Sequence, residues 1–437
     1  MNTSRSPDPS RRRGGIGGLT VWWVTAGLAI AAWGHATWDA VVNTPYRIDA
    51  DVYRMAALAW RHGSALYGDD WFATQIDGTV LPFTYPPIAA VLFTPLTWVS
   101  LDTASIVLTI VSALLLTVSL TLVLSRLGVT LALGYGPQWW RRAVVATAMV
   151  AAAISLDAEP LWANFDFGQV NVVLMTLVLA DCLPRRTPWP RGLLLGVAVA
   201  MKLTPAVFVL YFLVRRDGRA ALTTTASFLA TTLVGFAMAW SDSWQYWTHT
   251  VTNTERIGGA ATNTNQNVAG ALARLPLGEH QRSALWMLAG LLVLTLTVWA
   301  ARRVLRPTPL ASDGEPVLAL ICIALFGLVV SPVSWSHHWV WMLPAVLVTG
   351  VLSWRYRAVG LGVLSAAGVA LMTHSPILLM PEHHEADAAW WRQLAGASYV
   401  WWALAVIVTA GVTFKPSRAT PTGADQPAAV SGNRAAG

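Results

Sequence analysis

The chain has 437 residues, of which 55% are hydrophobic and 12% charged, with a formal charge of +7 and a mean hydropathy of +0.51. A water-soluble chain carries roughly 25% charged residues, so an ordinary cytosolic enzyme and a disordered protein are both excluded. The basic balance indicates a nucleic-acid partner only if the charge gathers on one exposed face.

In chain order, Arg11, Arg12 and Arg13 precede an apolar run over 19–38. That run is longer than the apolar stretch of a cleaved signal peptide and reads as a signal anchor. Further apolar runs lie at 103–125, 143–159, 169–183, 220–240, 284–301, 316–331, 338–354, 358–376 and 397–414. Crossing lipid takes about 20 apolar residues, with every backbone polar group satisfied inside the helix. The sequence therefore predicts an all-α polytopic membrane protein with about 10–12 transmembrane or re-entrant helices and large extracytoplasmic loops. Residues 1–18 are expected as a cytoplasmic tail and 19–414 as the membrane-embedded domain, with its first outer loop over 39–102. Residues 415–437, rich in Pro, Ala, Gly and Thr, are expected as a disordered cytoplasmic tail. Cys182 and Cys322 fall at or inside apolar runs and read as small buried hydrophobes.

The segment 191–214 is interrupted by Lys202-Leu203-Thr204-Pro205 and flanked on both sides by arginines. A re-entrant pair of half-helices keeps both flanks on one side; a single Pro-kinked span is the alternative. With the re-entrant reading, the inner loops hold 21 basic and 6 acidic residues, the outer loops 7 and 16, and Lys202 stands apart within the membrane segment. The excess positive charge thus reports orientation rather than nucleic acid. The outer loops are long and polar, so any chemistry is expected there.

Four outer motifs carry candidate chemistry. In Tyr46-Arg47-Ile48-Asp49-Ala50-Asp51-Val52-Tyr53, a surface helix follows, and a carboxylate sits near its start. Asp49 is either a helix N-cap or a base; Asp51, two residues on, cannot share its helix face. Leu81-Pro82-Phe83-Thr84-Tyr85-Pro86-Pro87 is a rigid turn, with Tyr85 forced extended and Pro87 able to open a helix. Asn263-Thr264-Asn265-Gln266-Asn267 is a dense amide cluster, suited to a hydroxyl-rich ligand or simply a polar turn. Ser334-Trp335-Ser336-His337-His338 links two spans; its histidines suit phosphate oxygens better than a metal, because no partner motif accompanies them. Lys202 is one of two lysines in the chain. At membrane depth it is functional by default, unless it snorkels to the nearer face.

Taken together and in order from Tyr46 to Trp341, these segments resemble the polyprenyl-phosphate-mannose-dependent α-1,2-mannosyltransferases of actinobacteria, integral membrane enzymes of the GT-C class. Asp49-x-x-Val52-Tyr53, Gly63 with Leu66-Tyr67, Phe83 to Pro87, Gly168-Gln169-Val170-Asn171, Lys202 to Pro205, Asn265-Gln266-Asn267 and Ser334 to His338 carry the resemblance. It implies Asp49 as the base, with Asp51 as an extra carboxylate in reserve. It implies mannosyl transfer to phosphatidylinositol mannosides, lipomannan or lipoarabinomannan on the outer face of the plasma membrane. The chemistry agrees with the residues. A mannosyl phosphate already has a good leaving group, so one base suffices, and His337, His338 and Lys202 can hold the departing phosphate. Tyr53, Tyr85, Trp335 and the amides Asn265, Gln266 and Asn267 are expected to contact substrate. No cofactor and no metal is expected. The rival is a transporter or flippase of lipid-linked glycan, which needs polar residues lining several spans at midplane.

Overall fold

The computed structural model describes residues 16–43, 47–68, 72–73, 78, 80–128, 140–306, 313–381 and 384–414. Residues 1–15 and 415–437, expected as tails, lie outside the described residues, as do Tyr46 and His383. Apart from one two-residue antiparallel ladder, Phe72–Ala73 with Val80–Leu81, regular structure among the described residues is helical. In chain order the α-helices are α1 (Ile16–Asn43), α2 (Ile48–His62), α3 (Pro87–Leu92), α4 (Leu101–Leu127), α5 (Trp140–Ser155) and α6 (Glu159–Asp166). They continue with α7 (Asn171–Cys182), α8 (Leu193–Met201), α9 (Val209–Val214), α10 (Gly218–Met238), α11 (Trp240–Thr248) and α12 (Val268–Ala273). The last six are α13 (Glu279–Val304), α14 (Glu315–Val330), α15 (Met342–Tyr356), α16 (Val359–Thr373), α17 (Trp390–Gly396) and α18 (Ser398–Thr413).

Every apolar run expected to span falls on a helix. Among the described residues, α4, α10 and α13 can each cross a bilayer by length and composition, and two bent pairs raise the number to five. The helices over 141–155 and 159–166 bend by 81°, and α17 and α18 by 58°. Others are short: the 12 residues of α7 rise about 18 Å against roughly 30 Å of hydrocarbon. The expected 10–12 therefore includes helices that do not cross on their own length. They are short because polar turns interrupt the apolar runs.

Local sequence sets the helix ends. Ser100 caps α4 by accepting the Thr103 N–H at 3.2 Å, and Gly128 ends it in the left-handed region. Every residue of α14 from Val317 to Leu325 is buried, the pattern of a helix that is apolar all round. Cys322 lies in this stretch, and Cys182 is likewise buried and free. Around this core, α10 and α13 expose Leu222, Leu229, Leu233, Met287, Leu288 and Leu291, an apolar belt for lipid.

The 191–214 segment resolves as two half-helices. Asp181 accepts the Gly192 and Leu195 N–H groups at 2.9 and 3.0 Å, anchoring the start of α8. The helix then runs along α10, where Gly196 sits so close that a Cβ would lie 2.5 Å from Ser227 Cβ. It stops at Lys202, whose backbone is extended (φ −153°, ψ 126°). A 3-10 turn, Thr204–Phe208, and α9 return the chain. Arg126 feels the charges of both Arg185 and Arg215, so the two flanks lie at one end of the bundle. Lys202 is thereby carried to the other.

Candidate active site

Five polar turns meet at the end of the bundle opposite Arg126. The start of α2 is held by backbone bonds from Arg47 N to Asp166 O (2.5 Å) and from Asp49 N to Phe167 O (3.0 Å). Gly168 makes this approach possible: its φ is +68°, and a Cβ there would lie 2.8 Å from Ala50 Cβ. Asp49 is therefore not the N-cap, which is Arg47 in the left-handed region. Asp49 lies in the first turn of α2, where the helix dipole favours a carboxylate.

These turns enclose a cavity of about 660 Å³ lined by Asp49, Tyr53, Tyr85, Lys202, Trp335, His337 and His338, among others. Its deeper wall is apolar, with Leu174, Met175, Val178, Phe208 and Leu328. Asp51 does not line it; the side chain is fully buried behind the helix. The two carboxylates thus face different ways.

One hydrogen-bonded network joins the cavity's charged groups. Gln169 Nε2 donates to Asp49 Oδ2 at 2.6 Å. Gln169 Oε1 accepts from Tyr53 Oη at 3.0 Å and Tyr85 Oη at 3.3 Å, and the two phenols are 2.8 Å apart. Lys202 Nζ donates to Tyr85 Oη (3.3 Å) and to Asn171 Oδ1 (3.0 Å). It also lies 3.3 Å from His338 Nε2. An ammonium only donates, so that nitrogen accepts and the His338 ring proton sits on Nδ1. Tyr53 is held by stacking on Phe93 at 4.4 Å between ring centroids.

Electrostatics follow from burial. Loss of solvent pushes the Asp49 carboxyl up to about 6, against the opposing pull of the Gln169 hydrogen bond and the Lys202 charge. Burial and then the Lys202 charge push His337 down to about 3, and His338 falls well below its ordinary value for the same reasons. Both imidazoles are neutral at pH 7, so they meet a phosphate as hydrogen-bond partners rather than cations. Buried His337 Nε2 has no partner among the described residues, which leaves it for a ligand.

The placement of the amide cluster corrects an expectation. Asn265, Gln266 and Asn267 are buried and do not line the cavity. Most of their polar groups serve the protein's own backbone, while Gln266 Oε1 finds no partner among the described residues. Asn265 Oδ1 accepts from Ser334 N and from Asn267 Nδ2, both at 2.9 Å. Gln266 Nε2 reaches Asn263 O and Gly396 O, and Asn267 caps α12 by accepting the Gly270 N–H at 2.6 Å. A bridge between Asn265 and Trp335 fixes the segment carrying the cavity's indole. The amides brace the wall; they do not offer donors to substrate. Asn265→Ala is accordingly expected to strand the Ser334 N–H and one N–H of the Asn267 amide, whose other bonds to Ser331 O and Gly270 N remain, costing about 1–3 kcal/mol. Thermal unfolding in detergent measures it, and an unchanged Tm contradicts the bracing role.

Two polar groups of the network had no site role on sequence grounds: Gln169 and Asn171. Their signal was a Gly-Gln-Val-Asn turn between two apolar runs. Arg256, which also lines the cavity, sits in a short 3-10 turn, Thr254–Ile257, whose sequence carries no distinguishing pattern.

One carboxylate and one ammonium sharing a cavity with an apolar wall suit transfer of a sugar from a lipid-linked donor, the work of membrane glycosyltransferases. A family model described as Glycosyltransferase family 87 matches residues 83–332. The chain belongs to glycosyltransferase family 87 and is a glycosyltransferase. It is 57% identical over 427 residues, 96% of each chain, to the Mycobacterium tuberculosis "polyprenol-phosphate-mannose-dependent alpha-(1-2)-phosphatidylinositol mannoside mannosyltransferase". The protein of the same name from Mycolicibacterium smegmatis is 56% identical over 94% of this chain and 93% of its own length. A second M. smegmatis protein, named for a phosphatidylinositol pentamannoside acceptor, is 34% identical over 88% of this chain and 89% of its own. No solved structure gives a significant match.

Proposed function

We propose that the enzyme transfers mannose from polyprenyl-phosphate mannose to a phosphatidylinositol mannoside, forming an α-1,2 linkage with inversion. One observation carries the reading: Asp49 and Lys202 face one cavity, at the two ends of a single hydrogen-bonded network. The printed names of the relatives supply the donor, the acceptor and the linkage.

In this mechanism the acceptor's 2-hydroxyl oxygen attacks the anomeric carbon, and Asp49 takes the hydroxyl proton. The bond between that carbon and the phosphate oxygen breaks, and its electron pair leaves with polyprenyl phosphate. Lys202 offsets the charge growing on the phosphate, and His337 and His338 hydrogen-bond its oxygens. The apolar wall at Leu174, Met175 and Phe208 takes the prenyl chain nearest the phosphate. Trp335, Tyr53 and Tyr85 offer ring faces and hydroxyls to the sugars. Asp49 is preferred to Asp51 because only Asp49 lines the cavity.

The site lies on the outer face of the plasma membrane in this reading. The arginine-rich end of the bundle marks the cytoplasmic side by charge, and a lipid-linked donor removes any need for a nucleotide sugar outside the cell. A flippase is set aside because the relatives are named transferases.

Purified protein in vesicles, given polyprenyl-phosphate [¹⁴C]mannose and phosphatidylinositol mannoside, tests the reading. Label enters the acceptor if it is right; lipid movement without incorporation overturns it. The Asp49 carboxyl at about 6 adds a pH signature. The base works ionised, so kcat/KM falls about tenfold per pH unit below that value. A pH-rate profile with no acid limb between pH 5 and 7 contradicts the assignment.

A further inference from the structure

The hydrogen bonds between Lys202 and Asp49 have a fixed sense. An ammonium can only donate and a carboxylate can only accept, so each bond between them points the same way. Lys202 donates to Tyr85, which leaves the Tyr85 proton for Tyr53 at 2.8 Å or for Gln169 Oε1 at 3.3 Å. Either way Gln169 Oε1 accepts from a phenol, with Tyr53 the nearer at 3.0 Å. With its oxygen turned toward the phenols, the Gln169 amide has only its NH₂ to offer Asp49, and it meets Oδ2 at 2.6 Å. Asn171 agrees with this sense, since its oxygen accepts from Lys202 and its NH₂ faces Gln169 Oε1 at 3.5 Å. Among the described residues, no side chain donates to the other Asp49 oxygen.

We propose that Gln169 is a positioning residue that aims the Asp49 carboxylate. It holds Oδ2 and leaves Oδ1 for the acceptor hydroxyl, while Tyr53, Tyr85 and Lys202 lock the orientation of its amide. The proposal rests on mannosyl transfer with Asp49 as base. It adds that the cation beside the leaving group and the base beside the nucleophile are oriented through one chain of hydrogen bonds. The buried amide cannot turn over without setting its NH₂ against the phenol protons and its oxygen against a carboxylate.

The test is the pH-rate profile of purified wild type, Gln169→Leu and Tyr53→Phe, with folding checked by gel filtration and thermal unfolding. Gln169→Leu removes the donor that favours the ionised carboxylate, so its acid limb moves to higher pH. Its kcat falls on the order of 10–100-fold, the range seen when an orienting partner is lost. Tyr53→Phe keeps the stack on Phe93 but removes the nearest donor to the amide oxygen, leaving the longer contacts from Tyr85 (3.3 Å) and Asn171 (3.5 Å) to hold it; it moves the limb the same way, with a smaller loss of kcat. A limb that stays at its wild-type pH in both variants overturns the proposal, whatever happens to kcat, because a merely structural role does not move it. If Gln169→Leu fails to fold, Tyr53→Phe alone decides in the same terms. Wild type that transfers no mannose defeats the parent reading instead, so the two failures are distinguishable.

Discussion

Asp49→Asn is expected to lower mannosyl transfer by about 10²–10⁴-fold, the usual contribution of a positioned general base. The substitution keeps the shape of the side chain and an oxygen able to accept from Gln169, so α2 stays docked through its backbone bonds to Asp166 and Phe167. An amide cannot take the acceptor's proton. The loss therefore falls on kcat, with donor KM little changed, because the proposed mechanism sets the mannosyl phosphate against Lys202, His337 and His338 rather than Asp49. Asp51→Asn gives the contrast. Asp51 is fully buried and away from the cavity, so its replacement is felt in thermal stability before catalysis. Single-turnover assays of the two variants separate these outcomes. Wild-type rates in Asp49→Asn remove the base from the account.

Lys202→Met carries the second large effect. Methionine keeps the length and apolar stem of lysine while removing the cation that faces the leaving phosphate. Losing one preorganised charge of this kind costs on the order of 10²–10³-fold in kcat. The residue sits where α8 ends and the chain turns back, so the charge is delivered to the site without crossing the bundle. Among the described residues no other lysine or arginine lies in the hydrogen-bonded network, Arg256 lining the cavity outside it, and neutral His337 and His338 do not replace the charge. Steady-state kinetics with varied donor check this: kcat falls and KM moves little. A raised KM at constant kcat instead marks Lys202 as a ground-state binder of the donor.

The helices were legible because the physics of lipid is one-dimensional in sequence: an apolar run that must satisfy its own backbone reads as a helix. Loop charges carried further. The arginines flanking 191–214 favoured a re-entrant pair over a single kinked span without deciding it, and Arg126, placed near both flanks, agrees with the pair. Span number read less well. A 16-residue run such as Glu315–Val330 looks alike in sequence whether it crosses lipid or fills a core. Within the site, the charged residues stood out because a charge is rare in this composition, and Asp49, Lys202 and His338 do come together. Amides gave no such signal. Asn265 and Gln169 are chemically alike in sequence, yet Asn265 is spent on backbone groups and Gln169 on the carboxylate. Only the close approach at Gly168, which brings α2 against the Gln169 turn, separates those two roles.

The proposed mechanism is a single displacement at the anomeric carbon with one carboxylate as base, and the anomeric configuration of the product discriminates it from a two-step reaction. Product made by purified enzyme from β-mannosyl phosphate donor and phosphatidylinositol mannoside is to be examined by NMR, reading the one-bond C1–H1 coupling and the substituted carbon. The mechanism predicts an α-mannosyl residue on the 2-oxygen of the acceptor mannose. A β-linked product would mean retention, which needs a second, covalent step, and would contradict an Asp49 that acts only as a base.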